Sequence, residues 1–130
     1  MTRNGTLHPA NEVEDAIKLA RAGRISIVDF IRILMDSVVC VPSETEVSVD
    51  MAELRPLVVD RGGTAMVAVF TSPSRAAKFG DKASYMLACK GREVLRRLKE
   101  NIGLVVNPGF DDGLEISPRG IAEIKADFAA

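Results

Sequence analysis

Two early stretches repeat apolar residues at helical spacing. Val13, Ala16, Ile17 and Ala20 fall at i, i+3, i+4 and i+7, which predicts a helix that begins near Pro9 to Asn11. Gly23 ends it, because glycine takes the left-handed conformation of a helix terminus without strain. The second stripe, Ile27, Phe30, Ile31, Leu34, Met35 and Val38, leaves Asp29, Arg32 and Asp36 off the apolar face. Ser26 followed three residues later by Asp29 resembles a capping box, with aspartate in place of Glu or Gln. The spacing predicts a helix from Ile27 to Ser37 packed on a core.

Beyond Ser37 the period shortens. Val38 to Val41 is a continuous apolar run stopped by Pro42, the pattern of a strand buried on both faces. Thr45 to Asp50 alternates apolar and polar positions and reads as a half-exposed strand. Leu57–Val59 and Thr64–Phe70 flank Asp60-Arg61-Gly62-Gly63, a four-residue hairpin connection. The second of these strands is apolar enough to be central. Ser72-Pro73 caps a short helix through about Phe79, with proline at its favoured first position. Tyr85 to Cys89 is a further strand. Gly91 opens a helix carrying Val94, Leu95, Leu98 and Ile102, and Leu104–Val106 is a strand closed by the turn Asn107-Pro108-Gly109. Asp112-Gly113 makes another turn, Leu114–Ile116 a brief strand, and Ser117-Pro118 caps a last helix with Ile121, Ile124 and Phe128 facing inward. These elements predict one α+β domain over residues 1–130, a mixed β-sheet flanked by about five helices, with 1–8 as a flexible lead-in. Val38–Val41, Thr64–Phe70 and Leu104–Val106 are expected in one sheet, with the second helix across it.

Composition narrows the class. The chain has 130 residues, 47% hydrophobic and 27% charged, enough to bury a core without disulfides or a structural metal. Its 17 basic and 18 acidic side chains leave a net charge of −1. That lacks the basic excess through which nucleic-acid binders release phosphate counterions, so no nucleic-acid partner is expected. Lys90, Arg92, Arg96, Arg97 and Lys99 crowd together, but Glu93 and Glu100 among them indicate a solvated helix face. Cys40 and Cys89, the only cysteines, both sit in apolar runs and read as buried, unpaired thiols in a reducing compartment. The N-terminal segment has no apolar signal core and no run is long enough to span a bilayer. The expectation is a cytoplasmic protein with no membrane partner.

Candidate chemistry is sparse. His8, the only histidine, lies in the lead-in. There is no cysteine pair at metal spacing, no phosphate-cradling G-x-x-x-x-G-K and no G-x-S-x-G. No catalytic residue, metal site or cofactor is assigned. Asp111, Asp112 and Glu115 form a small acidic loop, but adjacent aspartates diverge where calcium loops alternate their ligands, so turn chemistry accounts for them. The segment Thr71-Ser72-Pro73-Ser74-Arg75 carries the chain from a buried strand into a helix start, where free N–H groups favour an anion. Thr71, Ser72, Ser74, Arg75 and, from the neighbouring strand end, Asn107 are the candidate ligand-binding residues. Helix capping with an exposed arginine, and turn formation by Asn107, explain the same residues structurally.

From about Asn11 to Phe128, the order of elements and two short signatures resemble the SseB-type N-terminal domain family, named for enhanced serine sensitivity. Phe70-Thr71-Ser72 and Leu104-Val105-Val106-Asn107-Pro108-Gly109 carry the resemblance, supported by Ser117-Pro118 and by the strand Val38–Pro42. The resemblance implies a mixed sheet flanked by helices and no established enzymatic activity or cofactor. Two departures stand out. Family members often carry a second, C-terminal domain, for which this chain has no room, and Arg119-Gly120 replaces the acidic pair usual before Ile121. The expected function is a non-enzymatic binding or regulatory module acting through an unknown protein partner, with a homo-oligomer as one form of it. The alternative is a sensor of a small anion or amino acid at the strand-end loops. An exposed apolar patch supports the first; a concave pocket with convergent polar groups supports the second.

Overall fold

The two helical stripes form helices where their spacing places them. A computed structural model of the chain describes residues 9–44, 56–78, 85–110 and 113–128. Helix α1 spans Pro9–Arg21 and α2 spans Ile27–Asp36. After α1, Gly23 N–H donates to Ala20 at 3.1 Å and Arg24 N–H to Leu19 at 2.8 Å, the paired bonds of a Schellman ending. Ser26 Oγ accepts the Asp29 N–H at 3.0 Å, satisfying one of the donors every helix start leaves open. Helix α2 passes directly into strand β1, Val38–Ser43.

The remaining elements are β2 (Val58–Arg61), β3 (Thr64–Val69), α3 (Pro73–Ala77), β4 (Tyr85–Lys90), α4 (Gly91–Arg97), β5 (Gly103–Val106), β6 (Leu114–Ile116) and α5 (Pro118–Phe128). The fold is α+β. One sheet is mixed, in the order β2-β3-β5-β6, with β3 and β5 parallel and the outer pairs antiparallel. The other is the antiparallel pair β1-β4. The hairpin between β2 and β3 is tighter than the four residues expected, since Arg61 already pairs with Thr64. Its two turn residues, Gly62 and Gly63, have φ of 65° and 92°, which a type I′ turn demands and only glycine takes freely. Asp60 Oδ1 accepts the Gly63 N–H at 2.7 Å and fixes the turn.

The expectation of one continuous sheet is corrected by β1. It shares no ladder with β3 or β5; it meets the end of β3 only through the bridge between Cys40 and Phe70. The reason is local: past Phe70 the chain leaves the strand at the Thr71 turn, and before it Leu57 comes between the two strands, donating its N–H to Pro42 at 3.0 Å and accepting the Ala68 N–H at 2.9 Å. Val38 is exposed and not buried as expected, because it starts the strand at its open end; Val39 to Val41 are buried as their run implies. The Thr45–Asp50 strand, Phe79, the turn at Asp112 and the lead-in 1–8 lie outside the described residues, as does the side chain of Phe128.

Alternation along each strand distributes side chains between two cores. Val39 and Val41, Val67 and Val69, Leu104 and Val106 turn toward α1, α2, α4 and α5, where Val13, Ile17, Phe30, Ile31, Leu34, Leu95 and Ile121 close the larger core. Cys40, Met66, Ala68, Phe70 and Val105 turn to the other face, where Leu57, Ala76 of α3, Val59 and Phe110 cover them. Four helices thus cover one face; a five-residue helix covers the other. Gly91 lets α4 start against the end of α2, since a Cβ there would lie 2.2 Å from the Leu34 carbonyl oxygen.

Two outcomes follow from this packing. Phe30 is fully buried, so Phe30→Ala removes a ring the core cannot collapse to fill, at a cost of about 3–5 kcal/mol; denaturant melts read this, and a loss below one kcal/mol contradicts it. Cys40 is buried as expected, whereas Cys89 is only half-buried because β4 has helices over one face alone; desolvation still raises both free thiols, and pushes Cys89 up to about 11 with Glu93 adding to the effect. At pH 8 about one Cys89 side chain in a thousand is then thiolate, so native labelling by a thiol reagent is slow for both cysteines. A thiol held neutral in the fold stabilises it below the unfolded thiol's value, so stability falls as pH rises through about 11.

Candidate functional site

The parallel strands β3 and β5 end side by side, and the residues after them interlock. Asn107 N–H donates to Val69 at 2.8 Å, and the Asn107 backbone then turns left-handed at φ 54°, a conformation asparagine tolerates better than most residues. Its side chain is buried against Thr71: Oδ1 accepts the Thr71 N–H at 3.0 Å, and Nδ2 donates to Thr71 Oγ1 at 3.0 Å. The Thr71 hydroxyl has a single proton. The 2.6 Å contact to Glu14 Oε2 takes it, so the longer approach to Asn107 Oδ1 at 3.3 Å is not a second donated bond. Glu14 Oε2 also accepts from Arg75 Nη1 at 2.7 Å. A carboxylate on α1 therefore fastens the helix to the Thr71 turn after β3 and to α3, and reaches Asn107 after β5 through Thr71.

The candidate residues are brought together, but mostly as partners of one another. Thr71 and Asn107 are buried and face each other. Ser72 caps α3, accepting the Arg75 N–H at 3.3 Å, and its hydroxyl lies 3.2 Å from that of Ser74. Arg75 turns its guanidinium toward Glu14 and over the Phe110 ring, 5.3 Å from the centroid. Lys78 Nζ is 5.4 Å from the same centroid, and Phe70 meets the ring edge-on at 6.4 Å. Glu14 and Phe110 were not legible as members of this cluster. Glu14 sits beside Val13 on what reads as an ordinary helix flank, 57 residues before Thr71.

Beyond β5 lies an open cavity of about 510 Å³, lined by Arg21, Arg61, Asn107, Phe110, Gly113 and Glu115 among others. Arg61 reaches across the sheet face from β2 to grip Glu115 of β6 through Nε, at 2.7 Å, and Nη2. The basic patch on α4 is internally paired in part: Arg92 binds Asp36, and Arg96 and Arg97 bind Glu93. Asp111 and Asp112 lie outside the described residues. Among the described residues, no group of three His, Cys, Asp or Glu side chains is placed to hold a metal ion, and no helix is long and apolar enough to cross a membrane.

Strand β4 presents a different kind of surface. Its ladder to β1 pairs Tyr85 with Ser43 through to Lys90 with Val38. Leu87 and Cys89 are half-buried on the helix side, while Met86, Ala88 and Lys90 are exposed on the other face. Tyr85 is 46% exposed, Met86 48% and Val38 40%. Helix α3, about 7.5 Å long, shields Cys40 of β1 but does not extend over β4.

These features define an α+β domain with a buried polar clamp at its parallel strand ends and, among the described residues, an exposed apolar strand at one edge. The chain belongs to the SseB protein N-terminal domain family, whose model matches residues 13–123. No curated protein and no solved structure matches it.

The clamp yields a prediction that separates its two contributions. Asn107→Ala strands the buried Thr71 N–H and places a Cβ residue without a polar side chain in the left-handed region, costing about 2–4 kcal/mol. Asn107→Gly removes the conformational part and should cost about 1–3 kcal/mol. Equal losses in chemical denaturation contradict the assignment.

Proposed function

We propose that this domain is a non-enzymatic binding module acting through a protein partner in the cytoplasm, and that β4 is its docking strand. The observation that carries the reading is the exposure of an apolar strand at a sheet edge. Folded proteins normally blunt such edges with charge, proline or a covering element, whereas Tyr85, Met86 and Ala88 stand exposed beside Val38. Edge strands of this kind bind by adding a strand, with main-chain bonds giving affinity and alternate side chains giving specificity. Two free thiols, both held neutral by burial, suit a reducing compartment.

A second reading, a sensor of a small anion or amino acid, is favoured by the cavity beyond β5. Its volume lies in the range of small-molecule sites, and Arg61 and Glu115 offer both signs of charge on its rim. The Thr71, Ser72, Ser74, Arg75 and Asn107 side chains support it only at Asn107, since the others do not line that cavity.

The reading is tested by immobilising the chain and exposing it to lysate of its own host. Proteins retained by the wild type should be lost by Tyr85→Ser/Met86→Asp, which alters exposed side chains and leaves stability nearly unchanged. Retention of the same proteins by both forms overturns β4 as the docking strand. Stabilisation of the wild type by amino acids or phosphorylated metabolites, lost in Arg61→Ala, transfers the proposal to the cavity.

A further inference from the structure

The direction of the main-chain groups of β4 can be worked out from its neighbour. Cys40 N–H donates to Phe70 and Phe70 N–H to Cys40, both at 2.8 Å, while the Pro42 carbonyl accepts from Leu57 at 3.0 Å. The even-numbered residues of β1 thus turn their main-chain groups away from β4. In an antiparallel pair the direction alternates residue by residue, so Val39, Val41 and Ser43 make the bonds to Cys89, Leu87 and Tyr85. The Gly91 N–H bond to Ser37 at 2.9 Å continues the same series. Met86, Ala88 and Lys90 therefore point outward. Lys90 is the N-cap of α4, and the carbonyl of an N-cap accepts the first bond of its helix. That leaves Met86 and Ala88 with both N–H and C=O on the open edge, and neither residue has a main-chain partner across that edge among the described residues.

We propose that the strand seated on this edge is β4 of a second copy of the chain, antiparallel, about a two-fold axis at Leu87. The inference rests on β4 being the docking strand. A two-fold perpendicular to the sheet keeps each face on its own side, so residues of equal parity must pair. With the axis at Leu87, Met86 of each copy lies opposite Ala88 of the other. Both pairs are of the hydrogen-bonded type, and the outward N–H and C=O groups of Met86 and Ala88 in both copies are all satisfied. The side chains fit as well. A long methionine meets a small alanine on the open face, twice. Charge does not oppose the pairing: the two Lys90 residues stand six residues apart along the joined strands, about 20 Å, beyond the screening length of physiological salt. The joined sheet runs β1-β4-β4-β1 and buries the edge that each copy leaves open.

The test is the mass of the full chain in solution, by sedimentation velocity over a concentration series. The wild type should be a dimer that dissociates on dilution, with amide exchange at Met86 and Ala88 slowing as the dimer forms. Ala88→Pro removes an outward N–H and no β1 bond, so it should give a folded monomer. The register is read by two double variants. Met86→Asp/Ala88→Asp places carboxylates opposite each other at both pairs, and Met86→Asp/Ala88→Lys places opposite charges there. The first should dissociate at least about tenfold more readily than the second, since each dimer holds the pair twice. Equal dissociation of the two, or a dimeric Ala88→Pro, overturns the pairing. A wild type that stays monomeric at every soluble concentration overturns the second copy as occupant. Capture of a different protein, lost in Tyr85→Ser/Met86→Asp, would then leave β4 standing as the docking strand.

Discussion

A pair of main-chain hydrogen bonds between Cys40 and Phe70, each 2.8 Å long, joins the two sheets of this domain. Strand β1 is apolar on both faces, and both find cover: Val39 and Val41 under the helices of the larger core, Cys40 under Ala76 of α3. It gains β4 along one side through a full ladder and touches β3 on the other at a single bridge. That bridge falls at the last residue before the Thr71 turn. It therefore fixes where β3 ends, where α3 begins, and which side chains of β1 face Ala76. Among the described residues, β4 is then the outer strand of its pair.

The same constraint explains why the polar residues at the strand ends are turned inward. A buried turn between a strand and a short helix must find partners for its main-chain groups. Asn107 supplies one for the Thr71 N–H from the adjacent parallel strand, and Glu14 supplies another for the hydroxyl. Arg75 completes the neutralisation of that carboxylate and stacks on Phe110. The signature Phe70-Thr71-Ser72 together with Asn107-Pro108-Gly109 is thus accounted for by the need to fasten two parallel strand ends to α1. Such a clamp requires no ligand to be stable, and the open cavity begins on the far side of Asn107.

Most of the architecture was legible because it depends on local period and punctuation. Ser26, Gly23, Ser72-Pro73 and Gly62-Gly63 mark boundaries through the chemistry of caps and turns, and the strands β5 and β6 follow from short apolar runs. The junction of β1 with β3 was not legible, since a continuous apolar run states that a strand is buried without saying by which neighbours. Of the candidate site, Thr71, Arg75 and Asn107 could be placed near one another once β3 and β5 were taken as adjacent. Their mutual pairing could not, because it turns on Glu14, whose position on a helix flank carries no signal of a partner 57 residues away. The exposure of Met86 was hidden for a related reason: the run Tyr85 to Cys89 marks a strand without saying which of its faces is covered.

That mismatch between what the β4 sequence calls for and what its surroundings provide is informative. A strand apolar at nearly every position is suited to burial on both faces and pairing on both edges. Here β4 receives one edge from β1 and one face, in part, from α2 and α4; Leu87 and Cys89 use what is offered. Nothing in the composition of the chain required Met86 and Ala88 to be apolar at this edge, since 27% of its residues are charged; the one charge on the outward side of β4 is Lys90, at its end. The helix that covers the outer face, α3, is five residues long and ends over β1. The short helix leaves the outer face of Met86 and Ala88 uncovered, and the outward main-chain groups of the same two residues give the edge the donors and acceptors that a further strand would use.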